Sequence, residues 1–395
     1  MYYTYARMVL EGEDFNMAYN VDYFDAKVSE YGMNTKDIPN NLPTNALVLL
    51  PIAWLPPPTA KIVWSVISLV AFVLSMKMIL QVYGIHLTSN LGLGLMTLCL
   101  AWRPAYDNIA LGQLYMVILL IFTLSLQGIQ KEKVLMTGLS VSTACLIKGY
   151  GIVPVLWMIT RMKWKMVLLT VAFTVLVFVL TLPVFGLGSW TQFGASIVTN
   201  LGASPSEAHV AYQTINGLVY HLFFYDPIWS PFPVARFPLP ILLVISYGLS
   251  VLLIVLILRK IGSEERHVLL LSYSSAIAVS VVTAPLAEEY HYVLFLPLVV
   301  GLILFRVKAW VENQRFKSID VFLLSAIVLM VLPLKYKTLQ LESFPMILLA
   351  YPRLIAGLVL LLLARRVAKH SETCTDTVDS LDRNGYIPAN PNEIR

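Results

Sequence analysis

The chain has 395 residues, of which 58% are hydrophobic and 13% charged, and its mean hydropathy is +0.73. Soluble domains carry about 25% charged and about 45–50% apolar residues, so a water-soluble fold of this size could not bury so much apolar surface. The formal net charge is +5, but the 28 Lys and Arg residues form short clusters between apolar runs. Since they do not make one basic face, we expect an integral membrane protein with no nucleic-acid partner.

Apolar runs recur along the chain and predict an all-α, polytopic fold with about ten membrane spans. Two runs are irregular: residues 91–102 form a short one, and residues 134–160 are interrupted at Lys148-Gly149-Tyr150-Gly151. Broken segments at membrane depth are tolerated where protein or a water-filled cavity surrounds them, so we expect short helices that meet near Lys148 beside a polar cavity. The eight longer runs are residues 62–83, 109–128, 166–187, 239–258, 268–284, 292–305, 319–333 and 346–364.

Lys and Arg favour the cytoplasmic ends of spans, and this rule sets the predicted orientation. The cation-rich connections that we assign to the cytoplasm are residues 131–133, 161–165, 259–266, 306–317 and 365–369. Residues 1–58 then form an acidic outer loop, and residues 59–364 form the multi-span transmembrane domain with a long outer loop at 188–237. Residues 365–395 are polar without hydrophobic periodicity, and we expect a disordered cytoplasmic tail. The expected location is the plasma membrane, with the polar site facing outside.

The predicted outer loop at the start of the chain has no apolar core of the kind that a signal peptide carries. An outside N-terminus without a preceding signal or span is hard to deliver. We therefore expect a transmembrane helix upstream of Met1.

Charged groups within membrane segments cost about 2.5–3.5 kcal/mol each on insertion scales and are functional candidates. Lys148, flanked by apolar helices, needs an anionic partner such as a lipid phosphate; the alternative is a lysine that reaches the interface. Arg103 and Asp107 are candidate substrate ligands, unless they only pair with each other. Gln113 lies at the start of an apolar run and favours a cavity, where it could bind a sugar hydroxyl or phosphate.

Two further segments mix polar and aromatic side chains. Glu288-Glu289-Tyr290-His291-Tyr292 offers general acid and base groups, although a solvated turn would look the same. Tyr212-Gln213-Thr214-Ile215-Asn216 suits a carbohydrate, and equally an amphipathic helix on the membrane. The sequence has no P-loop, dinucleotide fingerprint, zinc spacing or Gly-x-Ser-x-Gly, so nucleotide-driven chemistry on the cytoplasmic side is unsupported.

Short motifs follow one another over most of the chain: Tyr2-Tyr3 with Leu10-Glu11-Gly12-Glu13-Asp14, Pro43-Thr44-Asn45-Ala46, Leu50-Pro51, Leu55-Pro56, Gly112-Gln113, Lys148-Gly149-Tyr150, Tyr212-Gln213-Thr214 with Asn216-Gly217, and Tyr290-His291-Tyr292. Each motif alone is weak. Their shared order resembles that of the integral-membrane GT-C glycosyltransferases, similar to polyprenol-phosphate-mannose-dependent alpha-1,2-mannosyltransferases.

The resemblance implies transfer of a hexose, typically mannose, from a polyprenyl-phosphate carrier to a lipid-linked or glycan acceptor, with inversion. In that family an aspartate early in the first outer loop is the general base, and basic residues hold the carrier phosphate. By position, Lys148 and His291 match phosphate-side or catalytic residues, and Gln113 and Gln213 match polar cavity residues. The family's aspartate precedes the paired tyrosines, so the base lies upstream or is Asp14 or another carboxylate of this loop.

The sequence therefore predicts a hexosyltransferase, with a transporter or flippase for a lipid-linked sugar as the alternative. Transporters often show two related halves, and the segments before and after residues 190–237 show no such repeat. The expected partners are the donor, the acceptor and membrane lipids. No cofactor is predicted, and a divalent metal is left open: Asp22 and Asp25, three positions apart, could bind a cation, although this spacing is common in loops. The predicted catalytic residues are Asp14, Glu289 and His291, and the predicted substrate-binding residues are Arg103, Asp107, Gln113, Lys148, Gln213, Thr214 and Asn216.

Overall fold

The computed structural model describes residues 1–34, 39–203, 209–228, 230–259, 265–313, 317–336, 341 and 343–383. Within these ranges the chain is all-helical, as the sequence predicts, and the one β-type contact is an isolated bridge between Asp226 and Ser230. Parts of two predicted cytoplasmic connections, residues 260–264 and 314–316, lie outside the described residues, as do residues 35–38 of the predicted outer loop.

The first 58 residues fold into a small helical unit with its own apolar core. Tyr5, Phe15 and Phe24 are buried there, and the Phe15 ring lies 4.8 Å from that of Phe185, which belongs to a long helix further along the chain. The segment predicted as a loop is therefore a packed element that rests on the bundle. Its helices are α1 (Tyr2–Leu10), a 3-10 helix (Phe15–Tyr19), α2 (Val21–Glu30), α3 (Asn45–Leu49) and a 3-10 turn (Leu50–Ile52).

The remaining helices form a bundle around α13, of whose 17 residues 14 are buried. The bundle consists of α4 (Pro57–Val82), α5 (Asn90–Leu100), α6 (Arg103–Leu111), α7 (Tyr115–Gln130), α8 (Val134–Lys148), α9 (Ile152–Thr160), α10 (Trp164–Ala203), α11 (Ile215–Phe223), α12 (Leu239–Leu258), α13 (Arg266–Val282), α14 (Leu296–Asn313), α15 (Ser318–Val331) and α16 (Pro352–Arg383), with 3-10 helices at Glu289–Phe295 and Met346–Ala350.

Four stretches of helix among the described residues are long and apolar enough to cross a membrane: Pro57–Val82, Trp164–Ile197, Leu239–Leu258 and Glu289–Lys308. Five further apolar helices are shorter, so the prediction of about ten spans is not confirmed. The physical reason is that hydropathy continues across residues that end a helix. The predicted span 109–128, for example, crosses Gly112, where a φ of 65° ends α6.

The helix break predicted at Lys148 is present. Helix α8 ends at Lys148, and Gly149 follows with a φ of 69°, a left-handed conformation that glycine adopts without strain. A Cβ on Gly151 would lie 2.4 Å from the Cys145 sulfur, so only glycine lets the chain pass so close to the last turn of α8. The two glycines therefore end one helix and start the next within three residues.

The tail predicted as disordered from residue 365 begins inside α16. Val367 and Ala368 are buried, and Arg365 donates to the Arg259 carbonyl at 3.1 Å, so the start of the predicted tail is helical and packed. The reason is that the apolar face of α16 continues past the arginines. Residues 384–395 lie outside the described residues. The long loop predicted at 188–237 likewise contains the end of α10 and all of α11.

Candidate active site

Polar and aromatic side chains from separate parts of the chain meet at the end of α8. The Lys148 ammonium donates a hydrogen bond to Asn41 Oδ1 and lies 5.1 Å from the ring centroid of Tyr2 and 5.9 Å from that of Tyr115. A cation is favoured at a helix C-terminus by the helix dipole, and aromatic faces stabilise it further. Lys148 is only partly exposed. The ammonium is thus held by an amide and two rings.

Gln113 is joined to this ammonium through Tyr2. The Tyr2 hydroxyl donates to Gln113 Oε1 at 3.0 Å, while the ring of the same tyrosine lies beneath Lys148. The Gln113 carbonyl accepts from Trp64 Nε1 at 3.2 Å, so α4 fixes the connection between α6 and α7 that carries the glutamine. The buried face of α1 thus links two residues that are 35 positions apart in the sequence.

His291 reaches the same place from the 3-10 helix Glu289–Phe295. Its Nδ1 lies 3.0 Å from the Glu288 carbonyl, which can only accept, so Nδ1 carries the proton and Nε2 accepts from the Tyr115 hydroxyl. The imidazole also stacks on Tyr290, with ring centroids 4.5 Å apart. Both ring nitrogens are therefore engaged. We call the group the Lys148 cluster; it comprises Tyr2, Asn41, Gln113, Tyr115, Lys148, Tyr150 and His291.

A cavity of about 460 Å³ adjoins the Lys148 cluster. Helix α6 lines it with Arg103 and Asp107, and the connection after α15 contributes Lys335. Arg103 Nη2 lies 2.9 Å from Asp107 Oδ1, so these two residues form the ion pair that the sequence predicts as an alternative. Tyr290 lines the cavity and stacks on His291, so one tyrosine ring separates the cavity from the cluster.

Asn108 fixes the position of that tyrosine and is a residue that sequence reasoning missed. Its Nδ2 donates to the Tyr290 carbonyl at 2.6 Å, and its Oδ1 accepts from the Tyr115 backbone at 3.1 Å. The side chain is fully buried. A single amide thus holds α6, α7 and the 3-10 helix in register. A polar residue on the buried face of a short amphipathic helix was the available signal.

Glu289 also lines the cavity, but the structure gives its carboxylate structural partners. Oε1 accepts from Arg353 Nε at 2.7 Å, and Oε2 accepts from the Tyr336 hydroxyl at 3.1 Å. Arg353 is fully buried and donates as well to the Leu332 carbonyl at 2.9 Å. Sequence reasoning missed Arg353, although a lone charge inside the apolar run 346–364 is a signal in itself.

Gln213, Thr214 and Asn216 hold the start of α11 against neighbouring segments. Gln213 donates from Nε2 to the Val210 and Ala350 carbonyls at 2.7 and 2.9 Å. Thr214 caps α11 by accepting from the Gly217 backbone at 3.0 Å, and Asn216 donates to the Pro285 carbonyl at 3.3 Å. The hydrogen bonds described for these three side chains end on backbone groups, and none of the three residues lines the cavity.

Asp14 belongs to the connection between α1 and the next helical element. Its carboxylate caps the 3-10 helix Phe15–Tyr19, accepting from the Asn16 backbone at 3.0 Å and from the Asn16 amide at 2.8 Å. Helix α1 is about 12 Å long from Tyr2 to its last residue, Leu10, and Asp14 lies four positions beyond Leu10 in the sequence. The neighbouring Glu13 pairs with Lys27 at 2.6 Å, and this hydrogen bond lowers the pKa of the Glu13 carboxyl.

Within the described residues, no group of three or more His, Cys, Asp or Glu side chains is arranged to hold a metal ion. Asp22 and Asp25, the pair considered for a cation, lie in the short helix α2 of the N-terminal unit.

The fold and the site together define a class: a membrane protein whose apolar helices enclose a polar site beside a cavity within the roughly 300–1,000 Å³ typical of small-molecule pockets. Residues 42–285, more than half of the chain, match the model of Glycosyltransferase family 87. The chain belongs to this family and is a glycosyltransferase, with a sugar donor and an acceptor as its substrates. No curated protein and no solved structure matches the chain.

The matched segment contains the cavity residues Arg103 and Asp107 and the cluster residues Gln113 and Lys148. His291 lies beyond it, and the fold brings that residue to the others.

Proposed function

We propose that the protein transfers a hexose, mannose, from a polyprenyl-phosphate carrier to a lipid-linked or glycan acceptor at the outer face of the plasma membrane. Family membership supports sugar transfer. The lipid carrier is supported by one observation: Lys148 places an ammonium group at a helix break within an apolar bundle, beside the Asn41 amide and two tyrosine rings. A phosphate on a membrane-soluble chain is the anion that reaches such a position without crossing water.

Lys148 binds the carrier phosphate in this assignment. Asn41 and the two tyrosine rings are neutral, so an incoming phosphate that takes the place of the amide gains a charge-assisted contact with the ammonium. Negative charge grows on the phosphate oxygen as its bond to the sugar breaks, and a fixed cation stabilises that charge more in the transition state than before it. Gln113 is joined to the same phosphate site by the hydrogen bond that it accepts from the Tyr2 hydroxyl.

The sugar occupies the adjoining cavity. Its ring stacks on Tyr290, and its hydroxyls bond to the paired side chains of Arg103 and Asp107. The acceptor hydroxyl oxygen attacks the anomeric carbon from the face opposite the phosphate. The carbon–oxygen bond to phosphate breaks, its electron pair leaves on the carrier, and the hydroxyl proton passes to a base. One such displacement inverts the anomeric configuration.

His291 serves as a positioning residue in this proposal. Its Nδ1 donates to the Glu288 carbonyl, and its Nε2 accepts from the Tyr115 hydroxyl. We therefore assign His291 the role of orienting the Tyr115 ring beside Lys148. We leave Asp14 out of the proposed donor site, because its carboxylate caps the 3-10 helix Phe15–Tyr19.

Purified full-length protein in lipid vesicles provides the test. It is given radiolabelled polyprenyl-phosphate-mannose together with glycan and lipid-linked acceptors. We expect polyprenyl phosphate and a new glycosidic bond in equal amounts, with release depending on the acceptor. Transfer from a nucleotide sugar without the lipid carrier contradicts the proposed donor. Movement of the labelled lipid across the vesicle without bond formation supports the transporter alternative instead.

Orientation is tested separately with an impermeant thiol reagent in a chain whose three cysteines are replaced by serine. Tyr106, which is 61% exposed beside the cavity, and Lys131, exposed between α7 and α8, are each replaced by cysteine. Labelling of Y106C in intact cells and of K131C only after permeabilisation is expected. The opposite pattern contradicts an outward-facing site.

A further inference from the structure

A buried ion pair joins three segments around the cavity. Arg353, at the start of α16, has no exposed surface and bonds through Nε to Glu289 Oε1 at 2.7 Å. The same guanidinium donates to the carbonyl of Leu332, which directly follows α15. The second carboxylate oxygen of Glu289 accepts from Tyr336. The pair therefore fixes the relative places of α16, the α15–α16 connection and the 3-10 helix Glu289–Phe295.

We propose that Arg353 and Glu289 are positioning residues for sugar transfer, which fix the Tyr290–His291 wall between the cavity and the Lys148 cluster. The inference rests on the proposed function. Glu289 is the residue immediately before Tyr290, and Tyr290 lines the cavity on one side and stacks on His291 on the other. A displacement of Glu289 therefore moves the cavity wall and the partner of Tyr115 together.

A 3-10 helix depends on such anchors, because its own hydrogen bonds have poor geometry and runs beyond four residues are uncommon. This one has seven residues, all of them buried. Its backbone is held at Tyr290 by Asn108 and at Tyr292 by the Trp102 indole, at 2.6 and 3.1 Å. The ion pair supplies the anchor at its first residue.

Gln213 extends the same system to the segment before α11. Its Oε1 accepts from the Arg353 backbone at 3.1 Å, and its backbone donates to the Ala287 carbonyl at 2.9 Å. The Tyr292 hydroxyl donates in turn to the Gln213 carbonyl. Through Gln213, Arg353 thus connects α16 with the segment before α11 and with the segment that leads into the 3-10 helix Glu289–Phe295.

Geometry explains a charged pair here better than stability does. A buried ion pair often contributes no more to stability than apolar residues of similar volume, whereas removal of one partner leaves an uncompensated buried charge. The planar guanidinium, however, sets the direction of its hydrogen bonds, which an apolar contact does not. Replacement of both residues by apolar ones therefore separates the contribution of the pair to stability from its effect on geometry.

The test compares Arg353→Met, Glu289→Leu and the double variant in the full-length protein. We expect each single variant to lose thermal stability and the double variant to regain it. In the double variant, kcat remains about 10- to 100-fold below that of the wild type, since a misplacement of about 1 Å can cost 100-fold in rate. Hydrogen exchange in residues 289–295 is faster than in the wild type. The pH profile of kcat keeps its shape, because Glu289 exchanges no proton with substrate.

The matched control is a second ion pair on the same helical segment. Arg306 bonds to Asp320 at 2.5 and 2.9 Å and joins α14 to α15 at the end of α14 away from the cavity. The double variant Arg306→Met with Asp320→Leu is expected to keep the wild-type kcat and wild-type exchange in residues 289–295.

A stable Arg353→Met, Glu289→Leu variant with wild-type kcat and wild-type exchange in residues 289–295 overturns the proposal. The proposal is also overturned if the pH profile of kcat of the double variant loses one limb, because that result would make Glu289 an acid or base in the reaction. A wild-type protein that does not use the polyprenyl donor contradicts the proposed function alone. The exchange measurement then still decides whether the pair fixes the 3-10 helix.

Discussion

Two cations inside this apolar bundle are satisfied in opposite ways. Lys148 bonds to the neutral amide of Asn41 and lies over two tyrosine rings. Arg353 bonds to the carboxylate of Glu289 and to a carbonyl, and none of its surface is exposed. Lys148 ends a broken helix and remains partly exposed, whereas Arg353 begins α16 in full enclosure.

The difference shows that the partner of a buried charge, more than its position in an apolar run, indicates its function. A carboxylate compensates an arginine and holds it in place, so the pair has no charge to offer to a ligand. An amide and aromatic rings stabilise an ammonium without neutralising its charge. An anionic ligand that takes the place of the amide therefore gains a charge-assisted contact. On this reasoning Lys148 belongs to the substrate site and Arg353 to the frame around it.

Replacement of Lys148 tests the comparison most strongly. We expect Lys148→Met to lower kcat/KM about 100- to 1,000-fold, as removal of a single preorganised donor does elsewhere. Methionine keeps most of the apolar stem of lysine, so we expect a smaller effect on the fold. Initial rates with the polyprenyl donor and the thermal midpoint measure the two effects. Lys61→Met, on an exposed face of α4, is the control. Equal losses in both variants would contradict the assignment.

A second variant gives Lys148 the kind of partner that Arg353 has. We expect Asn41→Asp to raise the KM for the donor about tenfold, equivalent to about 1.4 kcal/mol, because a fixed carboxylate competes with the donor phosphate for the ammonium. Donor titrations at saturating acceptor measure the change. Asn90→Asp, which adds an exposed carboxylate at the start of α5, should leave the KM unaltered. An unchanged KM in the Asn41 variant would show that the phosphate binds elsewhere.

The Tyr115–His291 hydrogen bond is expected to act as one unit. Tyr115→Phe and His291→Phe should each lower kcat about tenfold, and the double variant should be no slower than the slower single variant. A double-mutant cycle then gives a coupling of about 0.5–3 kcal/mol. Independent, multiplicative effects would mean that His291 does more than orient the tyrosine.

The sequence predicted the features that are local. Lys148-Gly149-Tyr150-Gly151 interrupts an apolar run, and the chain breaks there because glycine adopts the left-handed conformation and permits the close approach to α8. The expectation that Gln113 faces a cavity stays a prediction, because its side chain bonds to Tyr2 and it is not among the residues that line the described cavity. The predicted number of spans is not confirmed, since hydropathy does not register the helix ends at Gly112 and Gly149.

Long-range partners were beyond a single sequence. Asn41 and Lys148 are separated by 107 positions, and Glu289 and Arg353 by 64. A turn with two glutamates and a histidine looks the same whether it is solvated, catalytic or paired with a distant arginine. Only the packing of α16 against the 3-10 helix distinguishes these cases, and that packing depends on the whole bundle.

Replacement of Asp14 distinguishes a local capping role from a catalytic role at the proposed donor site. It is expected to have the smallest effect on activity. Asparagine keeps the oxygen that caps the helix Phe15–Tyr19, so Asp14→Asn should leave kcat/KM and the thermal midpoint close to wild type. Asp14→Ala should cost about 1 kcal/mol of stability through the lost cap, with the same kcat. Initial rates and thermal melts of the two variants are compared. A stable Asp14→Asn protein with a 100-fold lower kcat would make Asp14 the general base.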